Sequence, residues 1–147
     1  MKDELLALAE RCERAEGPDR ELDAEIAVAV LGGEIVWKTA NYTMEQYPAR
    51  RYASEDHIGG YGNAPVEQYS ASLDAAMALV PKETFWRLGH DGAGADPSDF
   101  RADVLWFIWP IGPKASPHQR QSKAIAATPA LALTAACLRA RAQGDEA

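Results

Sequence analysis

The chain has 147 residues, 47% hydrophobic and 25% charged, with a formal net charge of −7. This is ordinary globular usage, which excludes a disordered tail, a collagen-like repeat and a disulfide scaffold. A chain this long buries about two-thirds of the surface its unfolded form exposes, so one domain spanning residues 1–147 is expected.

Lys2 to Ala15 reads as a first helix, with Leu5, Leu8, Cys12 and Ala15 on one face. Gly17-Pro18 breaks it. Pro18 suits the first position of a second helix, with Asp19 and Glu21 in the first turn. Leu22, Ile26, Ala29 and Val30 form its apolar face and Gly32-Gly33 ends it. The two helices are expected to form an antiparallel hairpin. Glu34 to Lys38 reads as a short strand. Residues 39–71 read as mostly irregular, with turn signals at Pro48, Gly59-Gly60, Gly62-Asn63 and Pro65. A loop that long is uncommon unless it carries function or holds an unseen strand.

Ser72 is a candidate N-cap for a third helix, lined by Leu73, Met77 and Val80 and stopped by Pro81. Phe85 to His90 reads as a strand, Asp91 to Asp99 as a turn, and Phe100 to Trp109 as the most apolar strand. Its Val104–Trp109 half is expected to be covered on both faces. Pro110 to Ala127 reads as a long basic loop. Thr128-Pro129 caps and opens a last helix, Ala130 to Ala142, apolar almost all round and therefore deeply packed, with Arg139 and Arg141 at its C-terminal end. The order α-α-β-loop-α-β-β-α implies an α+β fold. The expected arrangement is a three-layer α-β-α sandwich, a small sheet covered by helices on both faces.

Several segments share order and spacing with a known family. They are Leu5-Leu6-x-Leu8-x-Glu10-Arg11, the run Gly17 to Asp23, Tyr69 to Ala76, Leu79-Val80-Pro81, Trp86-Arg87-x-Gly89-His90-Asp91-Gly92, and Ala127 to Leu133 with its Arg-ended helix. In these the chain resembles the phage ABA-sandwich domain family of small phage and prophage proteins. No pattern is shared over residues 34–68 and 110–126. The resemblance implies an α-β-α sandwich and a phage or prophage origin; it implies no activity, because function is not inherited from fold.

Residues 1–103 carry twenty acids against ten Lys and Arg, whereas residues 104–144 carry five Lys and Arg and no acid. An acidic body of this kind repels duplex nucleic acid, but its basic third suits a compact anion or a self-association contact. The N-terminal Met1-Lys2-Asp3-Glu4-Leu5 lacks a signal-peptide layout. The longest uncharged stretch, Ala124–Leu138, has 15 residues and contains Pro129, too short for a membrane span. Cys12 and Cys137 fall on apolar helix stripes, as buried reduced thiols do. A location in the cytoplasm of a bacterial host is expected.

No chemistry-bearing constellation stands out. His57, His90 and His118 have no metal-ligand spacing, and no Cys-x-x-Cys or Glu-x-x-His occurs. There is no Gly-x-Ser-x-Gly elbow, and Ile58 to Asn63 is Gly-rich without the Gly-Lys of a phosphate loop. No metal, cofactor or catalytic residue is assigned, and no enzyme activity is expected.

What remains is an accumulation of aromatic and basic residues. All four tryptophans fall in predicted strands, Trp37 and Trp106 as expected core residues. Five tyrosines and Arg50-Arg51 lie in or beside the 39–71 segment. Aromatic faces stack on nucleobases and arginine forks grip phosphate. The expected ligand contacts are Arg51, Tyr61, Trp86, Arg87, His90, Trp109, Lys114 and Arg120. Trp109 is the best stacking candidate, and 54–67 and 110–124 are the expected walls. The expected function is a phage accessory protein that binds a small anionic, nucleotide-like ligand without catalysis and sequesters a host immune signal. The alternative is a protein-interaction module, a virion part or an inhibitor docking on a host protein, with the charge asymmetry driving homo-oligomer or partner contacts.

Overall fold

The computed structural model describes residues 2–53, 61–90, 99–108 and 118–144. Helix α1 (Lys2–Arg14) buries Leu5, Leu8, Ala9 and Cys12, the stripe its spacing dictates. Helix α2 (Arg20–Leu31) starts two residues later than Pro18 suggests. Asp19 is the N-cap, and its carboxylate accepts from the backbone N–H groups of Glu21 and Leu22, satisfying donors the first turn otherwise leaves unpaired. Gly32 and Gly33 end α2 at φ 77 and 86. Gly33 is also a close approach: a Cβ there would lie 2.4 Å from the Arg51 carbonyl oxygen.

The segment expected to be irregular holds two strands. β1 (Glu34–Thr39), β2 (Gln46–Ala53) and β3 (Tyr61–Pro65) form an antiparallel sheet in that order. Pro48, Gly62-Asn63 and Pro65 misled because they sit inside the ladder, while Gly59-Gly60 lie outside the described residues. Pro48 pairs with Trp37, and Gly62 lies opposite Tyr52, whose ring covers it; a Cβ on Gly62 would meet that ring at 2.5 Å.

The chain leaving β3 is tied to α2 by polar groups. Asp23, fully buried, accepts from Ser70 N at 2.7 Å and Arg20 Nη1 at 2.9 Å. Arg20 also donates to the Val66 and Glu67 carbonyls. Ser72 then caps the short α3 (Leu73–Met77), as expected.

β4 (Phe85–His90), β5 (Phe100–Ile108) and β6 (His118–Ala126) form a second antiparallel sheet with β5 central. β6 corrects the reading of residues 110–127 as all loop: Ser122, Ala124 and Ala126 are buried at every second position, the period of a strand. Thr128 caps α4 (Pro129–Gly144), accepting from Leu131 N at 3.2 Å.

α4 is buried all round. Its alanines let neighbours approach closely, and each fully enclosed leucine, Leu131, Leu133 and Leu138, contributes roughly 1.5–3 kcal/mol. Side chains fix it in place: Thr134 Oγ1 donates to the Tyr69 carbonyl at 3.1 Å, and Arg141 Nε to the Leu79 carbonyl at 3.0 Å. Arg139 pairs with Glu13 of α1 and donates to the Lys123 carbonyl at 2.9 Å. The terminal arginines thus join elements as well as complementing the helix dipole.

The fold is α+β. α2 packs on the first sheet, α4 on the second with α1 touching β6, and α1 joins α2 to α4. In place of the expected single small sheet there are two three-stranded sheets, each packed by helices on one face among the described residues. Trp37, expected in the core, is 45% exposed on the edge strand β1, whereas Trp106 is half-buried against the core. Cys12 and Cys137 are buried and unpaired. No helix is long and apolar enough to cross a membrane among the described residues.

Candidate functional site

The face of β4-β5-β6 turned away from α4 follows from strand alternation. Pairing sets Phe85, Leu105 and Gln121 in one row, Arg87, Asp103 and Lys123 in the next, and Gly89, Arg101 and Ile125 in the third. The opposite parity, Ala102, Val104, Ser122, Ala124 and Ala126, is buried beneath α4. There Ser122 Oγ donates to the Ala136 carbonyl at 2.5 Å, so a polar residue on the covered face keeps its partner.

Asp103 is the centre of the outer face, yet only 4% exposed. Its Oδ2 accepts from Arg87 Nε at 3.2 Å. Its Oδ1 accepts from Arg101 Nη2 at 3.2 Å and from Gln121 Nε2 at 2.5 Å. Burial alone raises the carboxyl pKa. Hydrogen bonds from Arg101, Gln121 and Arg87, with the Arg101 charge, outweigh it and hold Asp103 below its ordinary value. The group is therefore a fixed anion that orders two guanidiniums.

Those guanidiniums keep solvent access: the Arg87 side chain is 66% exposed and that of Arg101 39%. Gly89 is beside both, and a Cβ there would meet nothing within 4 Å. The space forms an open depression of about 340 Å³ lined by Arg87, Leu88, Gly89, Arg101 and Asp103. Lys123, exposed across from Asp103, adds a third cation. One carboxylate against three cations makes the patch positive in a chain of net charge −7. Phe85, 64% exposed, lies on the same strand face two residues before Arg87, about 7 Å away along the strand. This arrangement can hold an oxyanion between planar donors and offer a ring face beside it. Among the described residues the face carries no hydroxyl, thiol or imidazole to act as a nucleophile or base.

The expected contact residues separate. Arg87 is in this patch. Trp86, its neighbour, has the opposite parity and is 36% exposed. Arg120 shares that parity across from Trp106. Arg51 and Tyr61 meet on the other sheet, Arg51 Cζ 4.1 Å from the Tyr61 ring centroid and Arg51 Nη1 3.9 Å from Glu34 Oε1. The strands of the two sheets make no contact among the described residues, so these two do not join Arg87. His90 ends β4 paired with Phe100; its side chain, Trp109 and Lys114 lie outside the described residues, as do residues 54–60 and 110–117 of the expected walls.

Arg101, Asp103, Gln121 and Lys123 were not anticipated. Their signal is period two: Arg101-x-Asp103 and Gln121-x-Lys123 alternate with the small buried residues Ala102, Ser122 and Ala124. The apolar run Val104–Trp109 obscured it, suggesting a strand covered on both faces. Among the described residues no group of three or more His, Cys, Asp or Glu is placed to hold a metal ion. Comparison of the chain with protein-family models, curated proteins and solved structures gives no match.

Proposed function

We propose that the chain is a non-catalytic binding module that takes a small anionic, nucleotide-like ligand on the outer face of β4-β5-β6. The observation that carries this reading is Asp103 holding Arg87 and Arg101 beside the open Gly89. Donors ordered in advance spare a ligand part of the cost of immobilising them. The exposed Phe85 ring supplies a stacking face, a contact worth about 1–3 kcal/mol per base in single-strand binders. The resemblance to the phage ABA-sandwich family supports a setting in the cytoplasm of an infected bacterium, where sequestering a host nucleotide signal needs no catalysis. Buried reduced thiols suit that compartment.

A second reading is favoured by Phe85 and Ile125, 64% and 37% exposed on the same face: that face docks on a protein, of the virion or of the host. A thermal-shift panel of linear and cyclic nucleotides and ADP-ribose derivatives, with phosphate as control, separates the two. A ligand at 100 times its Kd stabilises by about 2.7 kcal/mol, raising Tm by roughly 5–10 °C. A rise of that size with one nucleotide and none with phosphate supports ligand binding. A flat panel overturns it and favours docking.

A further inference from the structure

A second cavity lies between α1, α2 and β1, about 370 Å³ in volume. Its lining combines Val28 and Ile35 with the Trp37 indole and with Glu4, Glu21 and Glu25. Trp37 is 45% exposed although it stands on the sheet face that packs toward α2. Glu25 is paired with Arg11. The side chains of Glu4 and Glu21 make no hydrogen bond or ion pair among the described residues. The carboxylates are not set as metal ligands, since no group of three is close enough to hold an ion.

We propose that this cavity binds a small organic cation, an ammonium carried on a short apolar body. An indole face attracts such a cation, more strongly when water is displaced. Glu4 and Glu21 supply the opposing charge, and Val28 and Ile35 take the apolar body. An inorganic cation gains nothing from the apolar half. An anion is repelled, so this site is independent of the basic face of the other sheet.

The test titrates the full chain with tetramethylammonium chloride and butylammonium chloride, following Tm and tryptophan fluorescence. Sodium chloride at equal ionic strength and neutral tert-butanol serve as controls. The organic cations are expected to raise Tm and change the fluorescence, and the controls not to. Trp37→Leu is expected to weaken binding about tenfold, and the Glu4→Gln/Glu21→Gln pair to weaken it to a similar extent. If Trp37→Leu does not fold by circular dichroism, the glutamine pair, both exposed, decides alone. No response beyond sodium chloride overturns the proposal. So does an equal response to tert-butanol, or wild-type affinity in the variants that fold.

Discussion

Arg87 Nε donates to Asp103 Oδ2 at 3.2 Å across the β4–β5 pair, on the sheet face that no helix covers among the described residues. The carboxylate is buried while the guanidinium is two-thirds exposed. One member is structural and the other is presented to solvent, and this inequality makes the pair a binding element. Asp103→Ala is expected to cost about 1–2 kcal/mol in urea unfolding, the loss of charge-assisted hydrogen bonds from donors that reach solvent. Its exposed arginine partners return to water, which keeps the cost below that of a fully buried pair.

The same carboxylate makes stability depend on pH with a definite sign. The folded-state pKa of Asp103 is lowered from 3.8. Its contribution is therefore present above the unfolded value and is lost as the pH falls through the folded one. Stability curves of wild type and Asp103→Asn are expected to differ at neutral pH and to converge below about pH 4. A gap unchanged down to pH 2.5, roughly the low end of carboxylate titration, contradicts the assignment.

Much of the helical architecture was legible because helices carry their own punctuation. Leu5-Leu8-Cys12, the Ser72 cap and Thr128-Pro129 all read correctly, each being a local rule satisfied by adjacent residues. β2, β3 and β6 were not legible. Pro48 and Gly62 are turn residues by composition, but the ladder accepts them: Pro48 on β2 and Gly62 under the Tyr52 ring. The candidate site was read in part. Arg87 is picked out by its type, whereas it meets Arg101 and Asp103 only through the β4–β5 register, which sequence spacing does not reveal.

Asp23 offers a sharper stability test. It lies inside α2, wholly buried, accepting from Ser70 N and Arg20. Asp23→Ala leaves the Ser70 N–H and part of Arg20 without an acceptor, so a loss of about 2–4 kcal/mol is expected. Equilibrium denaturation checks it. Limited proteolysis is expected to cut first between Val66 and Ala71, the stretch these bonds hold.

Gly33→Ala is expected to destabilise by about 1–3 kcal/mol, since it combines a disfavoured φ with a clash against the Arg51 carbonyl. Gly17→Ala, with nothing within 4 Å, is the control and is expected to be near neutral. Thermal unfolding of both variants checks the difference.

Cys12 and Cys137 are expected to be inert to Ellman's reagent in the native protein at pH 8 and to react once it unfolds. Burial pushes each thiol up to about 12 from 9.0, and nearby Asp23 adds to this at Cys12. With folded pKa values above the unfolded ones, the contribution is complete below 9.0 and is lost as the pH rises through the folded value near 12. Stability is thus expected to fall from pH 9.0 upward, and less steeply in Cys137→Ala.

The most direct measurement is isothermal titration of the nucleotide selected by thermal shift into wild type and Arg87→Gln/Arg101→Gln. Circular dichroism confirms that both are folded. Measurable binding to wild type is expected, with at least a roughly hundredfold weaker Kd in the double variant, two charge-assisted contacts being lost. Equal affinity in the two proteins contradicts it and removes the Asp103-centred face as the ligand site.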